Sequence, residues 1–339
     1  MRSICVFGAT GNLGCYTTLA LKKAGYTVYA IGRKNTSNVI DFFNDNGITY
    51  IGGVDLADRN TFANIELKKV DAVVNMAGAM PASSGVSSMP YVQSIIAGTV
   101  NLCEWMEMVR CKRVVFNTTP SDISYLFGTK KPADENALPS FPKNGKDHSV
   151  YAICKNAAVD IIKHYSILNG LTYSVFRHLT VYAFHPSASY ILDGVEKILP
   201  WRLILRNCIA GKPIEIWGDK DNLKELLYID DFTDAVIASI ETTASGVFNL
   251  PGYKPYTLEE QIKSLINIFS PAPETHTIIY CPDKSSTPEN LLKLGGAKDL
   301  LKWEPKVHWE EACLRIKNEI KENRFEKIWG SVDAADESV

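Results

Sequence analysis

A glycine-rich turn lies close to the start of the chain and limits the folds that the chain can adopt. The run Phe7-Gly8-Ala9-Thr10-Gly11-Asn12-Leu13-Gly14 directly follows an apolar strand pattern and opens a helical one. Glycines at such a junction let the backbone turn tightly and approach a pyrophosphate, whose negative charge then lies on the free N–H groups of the helix start. The sequence therefore predicts a dinucleotide-binding turn of the form GxxGxxG. The residues expected to touch the cofactor here are Gly8, Thr10, Gly11, Asn12, Leu13 and Gly14.

The first half of the chain alternates short β-rich apolar runs with longer amphipathic stretches, which predicts parallel strands joined by helices. The predicted strands are Ser3 to Phe7, Thr27 to Ile31, Ile48 to Val54, Ala72 to Met76, Arg113 to Asn117 and Thr172 to Arg177. The predicted helices are Asn12 to Lys23, Ser88 to Val109 and Ser149 to Leu168. This order indicates an α/β fold with a Rossmann-type, doubly wound parallel sheet, which binds ligands at the carboxyl ends of its strands.

The second half is less regular, with a helix near Val195 to Ala210, a short strand at Ile214 to Trp217 and a return to strand at Val247 to Leu250. A chain of 339 residues is longer than one compact core usually allows. We therefore expect a smaller, discontinuous C-terminal substrate-binding lobe. The predicted division is a dinucleotide-binding Rossmann domain at 1–180, to which 218–250 return, a substrate-binding lobe at 181–217 and 251–325, and a frayed tail at 326–339.

The bulk composition excludes several classes of function. A formal net charge of -2 supplies no basic field for nucleic acid or for an anionic membrane surface. The chain shows neither a secretory signal pattern nor an apolar run of about 18 residues, so we expect a cytoplasmic protein without a membrane partner. The cysteines have no metal-ligand spacing, which predicts buried free thiols at Cys5, Cys15, Cys103 and Cys154 and no metal site.

A tyrosine and a lysine stand four residues apart in the third helical pattern. Tyr151 and Lys155 therefore share one helix face about a turn apart. A phenol with a pKa of about 10 is a poor proton shuttle at neutral pH, and an adjacent ammonium would lower that pKa. Thr119 follows the strand Arg113 to Asn117, whose end should point at the cofactor, and its hydroxyl would bond the same substrate oxygen. These three residues are the candidate catalytic set.

The end of the second strand bears on the choice of cofactor. An acid there would bond the ribose hydroxyls of NAD, whereas an arginine would accommodate the 2′-phosphate of NADP. The strand ends Ala30-Ile31-Gly32-Arg33-Lys34, with two cations and no acid. This pattern favours NADP(H), with Arg33 and Lys34 at the phosphate, and leaves NAD(H) as the alternative.

With these residues assembled, the sequence resembles the NAD-dependent epimerase/dehydratase family, the extended short-chain dehydrogenase/reductases, over nearly its whole length. The GxxGxxG turn, the Tyr151-to-Lys155 YxxxK signature and Thr119 all match features of that family. Further similar segments are Val54-Asp55-Leu56, Asn75-Met76-Ala77-Gly78, Arg177 to Tyr182, Gly211-Lys212-Pro213-Ile214, Trp217-Gly218-Asp219 and Tyr228-Ile229-Asp230-Asp231.

The resemblance implies a nucleotide-diphosphate sugar as substrate, with Lys155 bonding the nicotinamide ribose. It also implies a homodimer formed by the helices Ser88 to Val109 and Ser149 to Leu168. The remaining residues expected at the cofactor are Asp55, Leu56, Met76, Ala77, Gly78 and His178, beside Tyr151 and Lys155. Those expected at the substrate are Ala79, Met80, Pro120, Ser121, Thr180 and Lys224.

The sequence also departs from the family pattern. Thr180 stands where an asparagine is frequent, Ala183 replaces a glycine, and Ile95 replaces a helix asparagine. Lys224-Glu225 occupies the place of an Arg-Asp pair, and a lysine lacks the planar fork with which an arginine holds a diphosphate.

The predicted reaction is hydride transfer at C4 of the sugar, by a 4-ketoreductase or a 4-epimerase with Tyr151 as proton donor and acceptor. Pro120-Ser121-Asp122 lacks the adjacent Asp-Glu pair of a dehydratase, which disfavours 4,6-dehydration. Two alternatives remain: an NADPH-dependent reductase of a non-sugar ketone or aldehyde, and a non-catalytic dinucleotide-binding regulator.

Overall fold

The computed structural model describes residues 2–81, 87–140, 147–192 and 195–332. The strands in chain order are β1 Ser3–Phe7, β2 Thr27–Ile31, β3 Thr49–Ile51, β4 Ala72–Asn75, β5 Arg113–Asn117, β6 Thr172–His178, β7 Val181–Tyr182, β8 Ser189–Leu192, β9 Val195–Ile198, β10 Ile214–Trp217, β11 Leu223–Glu225, β12 Leu227–Tyr228, β13 Gly246–Leu250, β14 Pro255–Thr257 and β15 Ile278–Cys281.

The principal helices are α1 Asn12–Lys23, α2 Ser37–Asp45, α3 Gly98–Met108, α4 Asp147–Asn169, α5 Pro200–Ile209, α6 Ile229–Ile240, α7 Leu258–Phe269, α8 Gly296–Leu301, α9 Trp309–Glu322 and α10 Glu326–Trp329. A short turn of helix, Met89–Tyr91, and a π-helical segment, Val92–Ala97, run directly into α3. Short 3₁₀ helices lie at Arg59–Asn64, Pro120–Leu126 and Pro273–Thr275.

Seven strands form one parallel sheet in the order β3-β2-β1-β4-β5-β6-β13. The strand order reverses between β1 and β4, which is the position where ligands bind in doubly wound sheets. The Rossmann-type fold predicted from the sequence is confirmed. The seventh strand, β13, contains the predicted strand Val247 to Leu250 and returns late in the chain to the edge of the sheet.

Both faces of this sheet are covered by hydrophobic cores. Side chains of a strand point alternately to opposite sides, so each strand contributes residues to both cores. In β1, Ile4 and Val6 join the core beneath α1 and α6, whereas Cys5 and Phe7 join the core beneath α3 and α4. Helices therefore cover both faces of the sheet. Cys5, Cys15, Cys103 and Cys154 are buried and unpaired in the structure, as expected.

Three predicted elements differ in detail. The strand expected from Ile48 to Val54 pairs only over Thr49–Ile51, since Gly53 follows with a φ of +70°. The helix expected from Ser88 to Val109 includes the π-helical segment before α3. The helix expected near Val195 to Ala210 is wrong in its first part, which is strand β9.

Pro200 explains where this last helix begins. It occupies the first turn of α5, where its missing N–H and fixed φ are tolerated, and a helix arriving from residue 195 would clash with its ring. Val195 and Ile198 instead pair with β8 in an antiparallel hairpin.

The frayed tail predicted for 326–339 is wrong as far as residue 332. Phe325, Ile328 and Val332 are buried, and α10 packs against α2. Residues 333–339 lie outside the described residues. The proposed domain division stays a prediction. No helix in the described part of the chain combines the length and the apolar character needed to cross a bilayer.

Candidate active site

The glycine turn joins β1 to α1 as predicted, but its glycines serve different purposes. Gly8 has a φ of +77°, and a Cβ placed there would lie 2.8 Å from the backbone nitrogen of Ala77. A Cβ on Gly14 would lie 2.1 Å from the carbonyl oxygen of Gly8, so this glycine lets α1 approach the turn. A Cβ on Gly11 meets nothing closer than 3.4 Å. Gly8 and Gly14 are thus needed for packing, and Gly11 faces space available to a ligand.

A cleft of about 650 Å³ opens beside this turn at the carboxyl ends of β1, β2 and β4. Helix α1 starts at its N-cap, Gly11, without a side-chain cap, so its first N–H groups are available to an anion. The shape and the uncapped helix fit a dinucleotide. Predicted residues that line the cleft are Gly8, Thr10, Gly11, Arg33, Lys34, Asp55, Leu56, Met76, Ala77, Gly78, Ala79 and Met80. Asn12 and Leu13 form the first turn of α1 beside it.

The end of β2 carries a cationic pair, as the sequence indicates. The Arg33 side chain is 79% exposed, and its Nη1 lies 3.9 Å from Oδ2 of Asp55. Arg33 and Lys34 both line the cleft. This end of the cleft therefore offers exposed cations together with one carboxylate.

Tyr151 lies in the first turns of α4 and reaches the mouth of the same cleft. Its hydroxyl is 3.9 Å from Sδ of Met80, a cleft residue, and its ring packs edge-on against Tyr91 at 6.0 Å between centroids. Only 8% of the residue is exposed. Burial and the neighbouring Tyr91 raise the pKa of Tyr151 to about 12.

Lys155 follows one helical turn later and is buried with Tyr151. Its Nζ donates a hydrogen bond to the carbonyl oxygen of Asn117 at 2.8 Å and lies over the ring of Phe116 at 4.4 Å. Burial lowers the pKa of Lys155 to about 7. The expectation that this ammonium lowers the pKa of Tyr151 is wrong for the free protein, because desolvation raises the phenol pKa and disfavours the charge on Lys155.

Thr119 is buried at the end of β5 and begins the 3₁₀ helix Pro120–Leu126. Its Oγ1 accepts a hydrogen bond from the backbone N–H of Ser121 at 3.2 Å. A hydroxyl group that accepts there keeps its own hydrogen for donation. The adjoining Pro120 and Ser121 form the first turn of this 3₁₀ helix.

Asp122, in the same 3₁₀ helix, is held by a buried ion pair. One of its carboxylate oxygens lies 3.0 Å from Nη2 of Arg177, and the two side chains are 1% and 3% exposed. The carboxylate therefore joins the 3₁₀ helix to β6.

His178 ends β6, close to Lys155. Its Nδ1 lies 2.7 Å from the carbonyl oxygen of Leu179, which requires a proton on Nδ1. Its Nε2 is buried and has no hydrogen-bond partner among the described residues. Burial lowers the pKa of His178 to about 4, so the ring is neutral and Nε2 is an available acceptor.

Of the predicted substrate residues, Ala79 and Met80 line the cleft, and Pro120, Ser121, Thr180 and Lys224 do not. Thr180 is exposed between β6 and β7. Lys224 donates to the carbonyl oxygen of Thr287 at 2.7 Å, to its Oγ1 at 2.9 Å and to the carbonyl oxygen of Pro288 at 3.1 Å. An ammonium has three donors, so a substrate phosphate would have to displace one of these acceptors.

Sequence reasoning missed several residues of the site. Asn117 supplies the carbonyl that holds Lys155, and Tyr91 packs against Tyr151. Ser94 accepts a hydrogen bond from the backbone N–H of Ala79 at the edge of the cleft. Tyr91 and Ser94 precede Ile95 in a segment that the family resemblance had already marked. Other unpredicted cleft residues are Phe7, Ile31, Gly32, Val54, Ala57, Pro90 and Gln93.

The parallel sheet, the glycine turn and the cleft together define a dinucleotide-binding protein of the Rossmann class. The family model described as NAD dependent epimerase/dehydratase family matches residues 4–250. The chain belongs to this family, and the family prediction is confirmed. Among the described residues, no group of three or more His, Cys, Asp or Glu side chains is arranged to hold a metal ion.

Curated relatives are similar in sequence. A UDP-glucuronate 4-epimerase from Thermodesulfobacterium geofontis is 29% identical over 262 residues, which are 76% of this chain and 75% of the relative. UDP-glucuronate 4-epimerase 1 from Arabidopsis thaliana is 28% identical over an alignment of 290 positions that covers 76% of this chain. The chain spans 62% of the length of that plant protein.

Solved structures share the fold. UDP-glucose 4-epimerase from Thermotoga maritima, determined with UDP-glucose, has a TM-score of 0.74 at 20% identity and covers 95% of this chain and 99% of its own. UDP-glucuronic acid 4-epimerase from Bacillus cereus, determined with NAD, has a TM-score of 0.71 at 20% identity and covers 95% of this chain and 100% of its own.

Proposed function

We propose that this protein is an NAD(P)-dependent 4-epimerase of a nucleotide-diphosphate sugar. The observation that carries the proposal is the position of the Tyr151 hydroxyl, 3.9 Å from Met80 at the mouth of the glycine-turn cleft. A proton-transferring phenol is thereby placed beside the space that fits a dinucleotide. Relatives named as UDP-glucuronate 4-epimerases support the choice of reaction and substrate class.

The chemistry follows from the three buried groups. A bound nicotinamide cofactor supplies the hydride acceptor and donor. Tyr151 first passes its own proton to the neutral amine of Lys155 and, as the phenolate, takes the proton of the C4 hydroxyl as the carbon is oxidised; it returns that proton when the ketone is reduced on the opposite face. The Thr119 hydroxyl donates to the same oxygen and fixes its position. Lys155, with a pKa of about 7, holds or releases a proton close to neutral pH and so serves the phenol from one turn away.

The structure gives no support to a dehydratase reaction. Dehydration needs an acid and a base next to the catalytic threonine, whereas Asp122 is buried in its ion pair with Arg177. A 4-ketoreductase would use the same residues as an epimerase. The two reactions differ in whether reduced cofactor is consumed, which can be measured directly.

Replacement of Tyr151 by phenylalanine tests the proposal. Purified protein is incubated with UDP-glucuronate, UDP-glucose and UDP-N-acetylglucosamine, and inversion at C4 is followed by NMR. Tyr151→Phe should lower turnover about 10²–10⁴-fold while cofactor binding persists. Tyr280→Phe is the matched control, because Tyr280 is exposed on β15 and donates only to Glu259.

The outcomes separate the alternative functions. Net NADPH consumption on a 4-keto sugar would indicate a ketoreductase, and reduction of simple ketones alone would indicate the non-sugar reductase. Cofactor binding without any turnover would favour the regulator. Unchanged turnover of Tyr151→Phe would reject the role assigned to this residue.

We further propose that NADP(H) is preferred over NAD(H). The absence of an acid at the end of β2 and the exposed Arg33 and Lys34 at the cleft support this preference. Arg33→Ala should weaken NADPH binding roughly 10-fold and leave NADH binding nearly unchanged, as measured by calorimetric titration. Arg59→Ala, an exposed arginine paired with Glu104, is the control. Tighter binding of NADH by the natural protein would contradict the preference.

We propose a homodimer as the assembled form. The outer face of α4 carries Ile153, Ala157 and Ile161 at intervals of four residues, and Ile153 is 45% exposed. Such a spacing places the three side chains in one apolar stripe. The cytoplasmic location and the lack of nucleic-acid and membrane partners stay predictions from composition.

A further inference from the structure

The C-terminal segment, residues 325–332, is tied to the dinucleotide-binding turn. The indole Nε1 of Trp329 donates a hydrogen bond to the carbonyl oxygen of Thr10 at 2.9 Å. Thr10 lies between Gly8 and Gly11 and lines the cleft. A residue near the end of the chain therefore contacts the centre of the turn.

Several other contacts hold this segment in place. Phe325 is fully buried against Tyr16 of α1, with 4.7 Å between ring centroids, and Trp329 packs on Phe325 at 4.4 Å. The carbonyl oxygen of Lys327 accepts from Asn38 at 3.0 Å, and its Nζ pairs with Asp45 at 2.6 Å, both on α2. The segment thus packs across α1 and α2 before it reaches the turn.

The hydrogen bond from Trp329 to the carbonyl oxygen of Thr10 restricts the orientation of a whole peptide group. The carbonyl of Thr10 and the N–H of Gly11 belong to one planar unit, so fixing one orients the other. The N–H of Gly11 donates to the carbonyl oxygen of Gly8 at 3.0 Å. Trp329 and Gly8 therefore hold this peptide from both sides, immediately before the uncapped start of α1.

The same indole also touches the chain where it leaves the central sheet. The ring of His185 lies 4.5 Å from the ring of Trp329. The carbonyl oxygen of Phe184 accepts from the Tyr16 hydroxyl at 3.1 Å, and that of His185 accepts from Nη1 of Arg202 at 2.5 Å. Trp329 is thus wedged between the turn and the segment that leads from β7 to β8.

We infer that Trp329 is a positioning residue that holds the Thr10–Gly11 peptide in the orientation required to bind the dinucleotide. The inference rests on the proposed cofactor role of the glycine turn. It assigns to the C-terminal segment a part in cofactor affinity, although this segment lies outside residues 4–250 matched by the family model.

Trp329→Phe tests the inference, because it keeps a ring for packing and removes the N–H donor. The variant should bind NADPH and NADH about 3- to 10-fold more weakly, as expected for the loss of one hydrogen bond. Turnover at saturating cofactor should stay unchanged, since Trp329 contacts no reacting group. Trp217→Phe is the matched control: Trp217 is 50% exposed and donates its indole N–H to Glu215 at 2.7 Å.

A second measurement does not depend on a variant. If cofactor binding and the Trp329 contact stabilise each other, added cofactor should slow amide hydrogen exchange in residues 325–332 of the natural protein. A cofactor affinity of Trp329→Phe equal to that of Trp217→Phe, or exchange in 325–332 that cofactor leaves unaltered, would overturn the inference. Failure of the natural protein to bind either dinucleotide would instead refute the proposed cofactor role, and the inference with it.

Discussion

Lys155 brings an amino group into a buried position between Phe116 and Tyr151. The only hydrogen bond described for its Nζ is to the carbonyl oxygen of Asn117. Burial disfavours the charged form, so its pKa falls from 10.5 to about 7. The residue is therefore divided between its charged and neutral forms near neutral pH, and the stability of the free protein must depend on that proton.

The direction of this dependence can be tested with Lys155→Met. Between pH 7 and 10.5 the unfolded chain binds more protons at this position than the folded protein does, so the free energy of unfolding rises with pH. Relative to Lys155→Met, the cofactor-free protein should gain roughly 1–3 kcal/mol between pH 7 and pH 10. Urea denaturation at three pH values measures the difference. Parallel pH profiles of the two proteins would show that Lys155 does not titrate in this range.

The glycines of the turn before α1 belong to one sequence motif but have two different functions. The motif predicts a cofactor contact at every glycine, and the structure shows that Gly14 packs against the carbonyl of Gly8. Gly11 faces the cleft at the helix start. Spacing alone does not distinguish these functions, because it does not reveal which glycine is approached by backbone.

Gly14→Ala and Gly11→Ala should therefore fail in different ways. A Cβ at position 14 would meet a backbone oxygen at 2.1 Å, so Gly14→Ala should lose about 1–3 kcal/mol of stability or more. A Cβ at position 11 would meet no atom closer than 3.4 Å, so Gly11→Ala should fold with near-natural stability. The same variant should bind dinucleotide at least about 10-fold more weakly. Thermal unfolding and calorimetric titration of both variants give the two readouts. Equal losses of stability would contradict this division.

Local sequence signals identified most elements of the sheet but not every boundary. The strands β1, β2 and β5 end where predicted, since their β-branched and aromatic runs are bounded by turn residues. The prediction of one helix over 195–210 is wrong at its start because a short apolar stretch suits either a strand or a helix. Pro200 is the sequence signal that separates β9 from α5.

The features that the sequence did not predict are contacts between distant parts of the chain. Trp329 and Thr10 are 319 positions apart, and no periodicity connects them. The same is true of the ion pair between Asp122 and Arg177. In the sequence, Asp122 appears only as an acid in a loop and Arg177 only as a cation in a strand. The motif residues were foreseen from spacing, whereas the groups that support them depend on how the helices and the C-terminal segment pack.

The apolar stripe on the surface of α4 predicts that two copies of the protein associate. Helices α3 and α4 pack together on one side of the sheet, and the stripe Ile153, Ala157 and Ile161 lies on the outer face of α4.

Because two copies would bury this stripe, Ile161→Lys should convert the protein to a monomer. Leu314→Lys, at a 52% exposed position on α9, should leave the assembly unchanged. Light scattering coupled to gel filtration measures the mass of each variant. A natural protein that is monomeric at micromolar concentration, or a dimer that survives Ile161→Lys, would exclude this face as the interface.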